Sequence, residues 1–326
     1  MIYTDRVYGS VEIHETVLID LMESRAMQRL QGVLQHGITG LIGITRATSR
    51  FEHSLGVMLL VRRLGGGLEE QIAALLHDVS HTAFSHVIDY VFDGHDSQGY
   101  HEEHKETFVA ASDLPAVLDK HGYDWRAFLH EEDFSLLEQP SPALCADRLD
   151  YFLRDSLDLG LGTLAQIREA VDSLRAWEGK IVVNGLEQAR WMGAAFLRAD
   201  QASWANFREV GVYELTAQAI RRALKIGVLT VADLWTTDAE AWDRLNASSD
   251  GELQALLRLV SPRTGFVWDE NEPTFRVSTK LRTIDPPVLV DGAVYPLSAL
   301  DPAFAAWRKA YLEQNSGKWP MRVIPG

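Results

Sequence analysis

The segment from Leu75 to His86 constrains this chain more than any other part of its sequence. Within ten consecutive residues, beside apolar side chains that a helix would bury, it contains three histidines and one aspartate: His77, Asp78, His81 and His86. Most of the eleven histidines lie between His53 and His130, and none follows His130. Imidazole and carboxylate groups are ligands of divalent ions such as Zn, Mn and Fe. We therefore expect these residues to build one site.

Composition limits the kinds of protein and partner to consider. The chain has 326 residues, of which 46% are hydrophobic and 24% charged, as in a soluble globular protein. Its net charge of −15 disfavours a nucleic-acid or anionic-membrane surface, although a metal ion and a few arginines can locally attract a small anionic substrate. A single cysteine, no secretory signal and no long apolar window predict a cytoplasmic protein without a membrane partner.

Hydrophobic periodicity predicts a mainly α fold, with a helical core over residues 1–227 and a smaller α+β lobe over 228–326. Helix-like stripes occupy Thr16–Leu34, Ser54–Leu64, Leu68–Val79, Ala143–Leu159, Leu186–Ala199 and Ala202–Lys225. After Gly227 we expect a short helical piece, Val231–Leu257, and a closing helix, Asp301–Gln314. Between them lie two strand-like runs, Phe275–Thr283 and Pro287–Tyr295, and Asp291-Gly292 predicts a tight turn in the second.

Four candidate metal ligands lie far apart in the sequence: His53, the adjacent pair His77 and Asp78, and Asp147. Taken singly, a histidine on a helix is usually a packing residue, and an aspartate is usually solvated or a helix cap. The ordered set, however, resembles the defining pattern of the HD-domain phosphohydrolase superfamily. The segments Arg50–Gly56, His77–His86 and Asp147–Asp155 resemble the branch that contains the deoxynucleoside triphosphate triphosphohydrolases.

The resemblance implies an HD-domain helical core in which His53, His77, Asp78 and Asp147 hold one divalent metal ion. A mixed nitrogen and oxygen ligand set suits Mn, Fe, Mg or Zn. Such an ion would lower the pKa of a water molecule and polarise the phosphorus centre. The resemblance also implies a homo-oligomer, either a dimer or a tetramer.

A second group of residues is implied to carry the phosphate chemistry. In the resembled family the histidines that match His81, His86 and His101 contact the phosphates, and Asp89 matches an acidic residue that supports His86 and His101. Our hypothesis is that His86 or His101 protonates the departing oxygen. The alternative is that some of these histidines only orient the metal ligands.

Two arginines, Arg50 and Arg148, match basic residues of the family and have the planar fork that suits phosphate oxygens. For Arg148 a surface ion pair is the alternative. Tyr151 and Asp155 match residues that hold the sugar of the nucleoside. The alternatives are a tyrosine packed at the rim of the site and an aspartate that pairs with a nearby arginine such as Arg154.

The foremost functional hypothesis is a metal-dependent phosphohydrolase that converts a deoxynucleoside triphosphate into nucleoside and tripolyphosphate. Cys145 stands where this branch often has an aspartate that helps bind the sugar, which leaves sugar and base selection open. The alternative with the same chemistry is a phosphatase for nucleoside monophosphates or another small phosphoester. The alternative of another class is a non-catalytic nucleotide-binding regulatory protein, and nuclease activity is disfavoured by the acidic charge.

Overall fold

The computed structural model describes all 326 residues. An antiparallel hairpin, Ile2–Asp5 (β1) and Gly9–Glu12 (β2), opens the chain. Ten α-helices follow: Thr16–Glu23 (α1), Arg25–Arg29 (α2), Ile38–Leu41 (α3), Arg50–Arg63 (α4), Leu68–Leu76 (α5), Val87–Val91 (α6), Tyr100–Glu103 (α7), Lys105–Ala111 (α8), Leu114–Lys120 (α9) and Ala146–Asp158 (α10).

The remainder of the chain mixes helices with short strands. The helices are Leu164–Ser173 (α11), Leu186–Ala199 (α12), Phe207–Ile226 (α13), Asp238–Asn246 (α14), Gly251–Leu259 (α15), Leu297–Leu300 (α16) and Pro302–Asn315 (α17). The strands are Leu174–Trp177 (β3), Lys180–Val183 (β4), Gly265–Trp268 (β5), Phe275–Val277 (β6), Pro287–Val290 (β7), Ala293–Pro296 (β8) and Trp319–Ile324 (β9). They form a sheet in the order β3-β4-β7-β8 and another in the order β5-β9-β6. The predicted mainly α class is confirmed.

Two hydrophobic cores hold these elements together. The first packs α1, α4, α5, α10 and α12, and it takes Ile284, Val288 and Leu297 from the last part of the chain. The second packs α6, α13 and α15 with Val277 and Met321. Residues on both sides of position 227 therefore contribute to both cores. The division of the chain into two domains, 1–227 and 228–326, stays a prediction.

Helix α4 has a well-defined start, which fixes the position of the residues it carries. The Ser49 hydroxyl accepts a hydrogen bond from the backbone N–H of Glu52, and the Glu52 carboxylate accepts one from the backbone N–H of Ser49. This reciprocal capping box satisfies two donors that would otherwise lack partners. The helix packs against α5 and α10, so its first turns lie deep inside the molecule.

Two predicted elements differ markedly from the observed ones. The run Thr16–Leu34 is interrupted at Ser24, which adopts an extended conformation and caps α2 by accepting from the backbone N–H of Met27. The strand predicted over Phe275–Thr283 ends at Val277. After Val277, the side chains and backbone of the segment form hydrogen bonds with helices and loops instead of with another strand. The predicted turn at Asp291-Gly292 does join β7 and β8. Every helix is too short or too polar to cross a lipid bilayer.

Candidate metal centre and surrounding pocket

The four predicted metal ligands meet at one point in the structure. His53 comes from α4, His77 and Asp78 follow the end of α5, and Asp147 lies in the first turn of α10. The His53 Nε2 atom lies 2.9 Å from Asp147 Oδ1 and 3.3 Å from His77 Nε2. The Asp78 carboxylate oxygens lie 3.7 Å from His53 Nε2 and 3.6 Å from His77 Nε2. Ligands about 2.1 Å from one ion are separated by distances of this size.

The orientation of the two imidazoles also fits a bound cation. His77 Nδ1 donates to the backbone carbonyl of Ala74 at 2.8 Å, and His53 Nδ1 donates to Asp150 Oδ2 at 2.8 Å. Each ring therefore directs its Nε2 lone pair toward the other three ligands. Hydrogen bonding of the remote ring nitrogen to a carbonyl or carboxylate is usual for metal-binding histidines.

The charges of the cluster favour an additional positive charge at its centre. Burial lowers the pKa of His77, but the charge of Asp78 together with the hydrogen bond and charge of Asp147 outweighs this effect and raises it to about 10. Burial raises the pKa of Asp147, but hydrogen bonds with His53 and His77 hold it well below its usual range. A divalent ion would supply the positive charge that protons otherwise provide, so these residues fit one such ion.

A buried ion-pair network contacts His53 through its Nδ1 atom. Asp150 accepts from Arg154 Nε at 2.7 Å, and Arg154 donates in turn to Asp5 Oδ2 at 2.7 Å. Asp150 was not singled out from the sequence, although its place three residues after Asp147 puts both on neighbouring parts of one helix face. The expected alternative in which Arg154 pairs with Asp155 is wrong, because Arg154 is engaged by Asp150 and Asp5.

The histidines expected to act on phosphate lie beside the metal cluster. The chain leaves the helix after His77, and His81 Nε2 approaches Asp78 Oδ1 at 3.1 Å. The rings of His81 and His101 stack with centroids 3.7 Å apart, and the edge of His86 faces His81 at 5.1 Å. His86 Nδ1 also lies 3.0 Å from Asp89 Oδ2.

Burial keeps these histidines neutral in the free protein. It is the main reason that the pKa of His81, of His86 and of His101 lies well below its usual value, and the charge of Arg50 lowers each further. Nδ1 of His81 and Nδ1 of His101 are buried without a hydrogen-bond partner. Buried polar atoms without partners are costly, and a bound phosphate would supply acceptors for them.

The two candidate phosphate-binding arginines differ in their surroundings. Arg50 is buried, donates from Nε to Ser85 Oγ at 2.8 Å and contacts the Asp78 carboxylate, while its Nη2 has no partner. Arg148 donates to the backbone carbonyl of Ala143 at 2.8 Å and pairs with Glu138 at 3.3 Å. The Arg148 side chain is 13% exposed and lines the pocket, so its ion pair with Glu138 is not a surface pair.

The two residues expected to hold a sugar also line the pocket. Tyr151 packs against Trp204 with ring centroids 4.9 Å apart. Asp155 accepts from Trp204 Nε1 at 2.6 Å and pairs with His36 Nε2 at 3.0 Å. His36 and Trp204 were missed from the sequence because no local pattern connects them with α10.

The pocket is a cavity of about 190 Å³. Four cationic side chains line it: Arg50, Arg148, Lys280 and Arg282. Four glutamates share the wall: Glu102, Glu131, Glu138 and Glu209. Lys280 and Arg282 come from the last part of the chain and were not among the predicted site residues. The sequence contained no signal for them other than their charge.

Comparison with known proteins places this site in a family. A family model described as the HD domain matches residues 50–155, which include all four candidate metal ligands. A relative named metal-dependent phosphohydrolase cns2, from Cordyceps militaris, is 38% identical over 94% of this chain and 91% of its own length. The deoxynucleoside triphosphate triphosphohydrolase SAMHD1 of Gallus gallus is 26% identical, and the match covers 54% of this chain and 37% of that protein.

A solved crystal structure has a similar fold. The crystal structure of a phosphohydrolase from Bacteroides thetaiotaomicron superimposes with a TM-score of 0.71 over 98% of this chain and 99% of that chain, at 16% identity. This similarity concerns the fold alone. The fungal relative and the HD model make the assignment: this chain belongs to the HD-domain metal-dependent phosphohydrolases.

Proposed function

We propose that this phosphohydrolase removes the phosphate group of a nucleoside monophosphate or a phosphomonoester of similar size. The observation that carries the proposal is the small cavity, about 190 Å³, directly beside the metal cluster. Pockets for drug-sized ligands typically measure about 300–1,000 Å³. A phosphate with part of its leaving group matches such a cavity better than an extended triphosphate does.

The charges of the wall support the same substrate class. Glu102 and Glu138 line the cavity together with the cationic side chains. Burial, followed by the charge of Glu131, raises the pKa of Glu102 to about 7, and negative charge brought near it would raise that pKa further. Glutamates on the wall offset part of its positive charge, and this balance favours a substrate with one phosphate over one with three.

The metal ligands, Arg50 and the histidines have separate roles in this proposal. A divalent ion held by His53, His77, Asp78 and Asp147 would supply Lewis-acid activation of the phosphate and of water.

The unpartnered Nη2 of Arg50 is available to a nonbridging phosphate oxygen. His86, which contacts Asp89, or His101 gives a proton to the departing oxygen. A bound phosphate favours their protonated forms because its negative charge offsets that of Arg50.

A deoxynucleoside triphosphate triphosphohydrolase is the second candidate. The name of the avian relative and the four cationic side chains around the cavity favour it. That relative matches only about half of this chain, and Cys145 stands where the branch often has a sugar-binding aspartate. A regulatory protein that binds nucleotides without hydrolysing them is the candidate of another class.

The products formed from a panel of nucleotides distinguish these functions. Purified protein loaded separately with Mn, Fe, Mg or Zn is incubated with nucleoside mono-, di- and triphosphates. Orthophosphate released from monophosphates is the expected result. Tripolyphosphate released from deoxynucleoside triphosphates would replace our proposal with the second candidate, and binding without turnover would favour the regulatory protein. The Asp147→Ala variant is the control, because it should lack both metal and activity.

A further inference from the structure

A segment from the last part of the chain forms one wall of the catalytic cavity. Residues 278–285, which we name the cationic segment, follow β6 without forming a helix or a strand. Four of them line the cavity: Lys280, Leu281, Arg282 and Thr283. No other residue after position 227 does so. The HD motif ends far earlier in the sequence, so this wall is separate from it.

The cationic segment is held firmly despite its irregular backbone. The backbone N–H of Arg282 donates to Asp200 Oδ2 at 2.9 Å. Tyr90 donates its hydroxyl to Thr279 Oγ1 at 3.0 Å, and Arg308 donates from Nε to Thr283 Oγ1 at 3.0 Å. These bonds come from three parts of the fold, so the scaffold determines where the segment places its side chains.

The two cations of this segment have no carboxylate partner. Lys280 Nζ donates only to the backbone carbonyl of Ser97, at 3.2 Å. The Arg282 guanidinium contacts the side chain of Gln98 and donates to the backbone carbonyl of Lys280 at 3.3 Å. Neither side chain lies within 4.0 Å of an aspartate or glutamate oxygen, although the chain carries a net charge of −15. Two unpaired cations beside a cavity attract an anion to it.

Both cations line the same cavity as His86. The pKa of His86 is lowered first by burial, and then by the charges of Arg50, Arg282 and Lys280. An anion that contacts Lys280 and Arg282 therefore occupies the cavity that His86 also lines. Lys280 is exposed and Arg282 half-buried, so the pair is accessible from solvent.

We propose that Lys280 and Arg282 bind the nonbridging oxygens of the substrate phosphate and thereby position it for hydrolysis. The inference rests on the proposed function and deepens it, because it assigns recognition of the phosphate to a segment outside the HD motif. Arginine supplies a planar pair of donors and lysine a point charge, a combination that suits a phosphate dianion. These two residues position the substrate, whereas His86 and His101 transfer the proton.

The test compares two double variants that remove the same charge. Lys280→Gln with Arg282→Gln removes the proposed phosphate contacts. Arg263→Gln with Lys318→Gln is the matched control, because both residues are exposed, come from the same part of the chain and do not line the cavity. Each protein is examined for metal content, melting temperature, KM, kcat and inhibition by inorganic phosphate. The single variant Lys280→Gln repeats the test with loss of one hydrogen bond only.

We expect the test variants to raise KM and the inhibition constant of inorganic phosphate at least about tenfold, since hydrogen bonds between charged groups are lost. Metal content should be unchanged and kcat should change much less than KM. The proposal is overturned if both constants stay as in the parent protein, or if the control raises them equally. If no nucleotide in the panel is hydrolysed, the proposed function fails separately, and calorimetric binding of inorganic phosphate to the metal-loaded variants still decides this inference.

Discussion

At the scale of single residues, Asp150 determines how His53 is presented to a metal ion. Its carboxylate accepts from His53 Nδ1 and from Arg154, and Arg154 also contacts Asp5. All four residues are buried, so the hydrogen bonds form in surroundings of low polarity. The negative charge of Asp150 increases the basicity of the imidazole and fixes its orientation.

Replacing Asp150 with asparagine should therefore weaken metal binding without removing a ligand. We expect the affinity to fall about 10- to 100-fold, the usual effect of losing a partner that orients a metal-binding histidine. Competition with a chelator, measured on folded protein, gives this ratio. Asp172→Asn, which alters an exposed carboxylate on α11, is the control. If Asp150→Asn and Asp172→Asn bind the metal ion with equal affinity, Asp150 serves only to balance the charge of Arg154.

Single residues also show what could be predicted from the sequence. His53, His77, Asp78 and Asp147 were identified because their order and neighbours follow a known pattern, and their side chains lie close together in the structure. The roles of His36, Lys280 and Arg282 depend on contacts between segments that are more than a hundred residues apart. No local spacing or propensity encodes such contacts.

At the scale of elements, the contact between α4 and α10 depends on Gly56. A Cβ atom at this position would lie 2.0 Å from Arg154 Nη2 and 2.1 Å from Asp150 Oδ1. Only glycine lets the two helices approach so closely. The approach brings His53 of α4 within reach of Asp147 and Asp150 of α10, so the helix contact also builds the metal site.

Gly56→Ala should destabilise the protein even though alanine favours a helix. We expect a loss of about 1–3 kcal/mol in the free energy of unfolding, because the added methyl group displaces the buried ion pair. Urea denaturation measures the change. The control is Gly251→Ala at the first position of α15, where a Cβ meets no atom within 4 Å. Equal stability of the Gly56 variant and the parent protein would contradict the packing described here.

Elements were predicted best where the sequence was most periodic. The predicted helix Leu186–Ala199 matches α12 at both ends, because one continuous apolar face packs into the core. The strand predicted over Phe275–Thr283 was too long, since a run of β-favouring residues does not specify whether a partner strand is present. The hairpin of β1 and β2 was missed because its strands have only four residues each.

At the scale of the whole molecule, the pair His36 and Asp155 joins distant parts of the chain. His36 precedes α3, Asp155 lies on α10, and the Tyr213 hydroxyl on α13 donates to the His36 carbonyl at 2.9 Å. Burial lowers the pKa of His36, but the charge and hydrogen bond of Asp155 outweigh burial and raise it to about 9. Folding therefore favours the protonated imidazole.

The sign of this pKa shift predicts how stability depends on pH. The histidine pKa is about 6.5 in the unfolded chain. The stabilising contribution of His36 is thus complete below pH 6.5 and is lost as pH rises through about 9. It should amount to about 3 kcal/mol. Thermal unfolding between pH 6 and 10 tests this contribution.

As pH rises from 6 to 10, the variant His36→Gln should lose less stability than the parent protein. The variant His14→Gln, at an exposed position, should follow the parent protein. Parallel curves for the His36 variant and the parent would contradict a protonated His36 in the folded state.

The late position of the cationic segment in the chain has a consequence for synthesis on the ribosome. A nascent chain that has emerged as far as residue 227 already contains His53, His77, Asp78 and Asp147. It lacks Lys280 and Arg282, and it lacks the apolar side chains with which the last part of the chain completes both cores. An unfinished polypeptide can therefore present every metal ligand while one wall of its catalytic cavity is still untranslated.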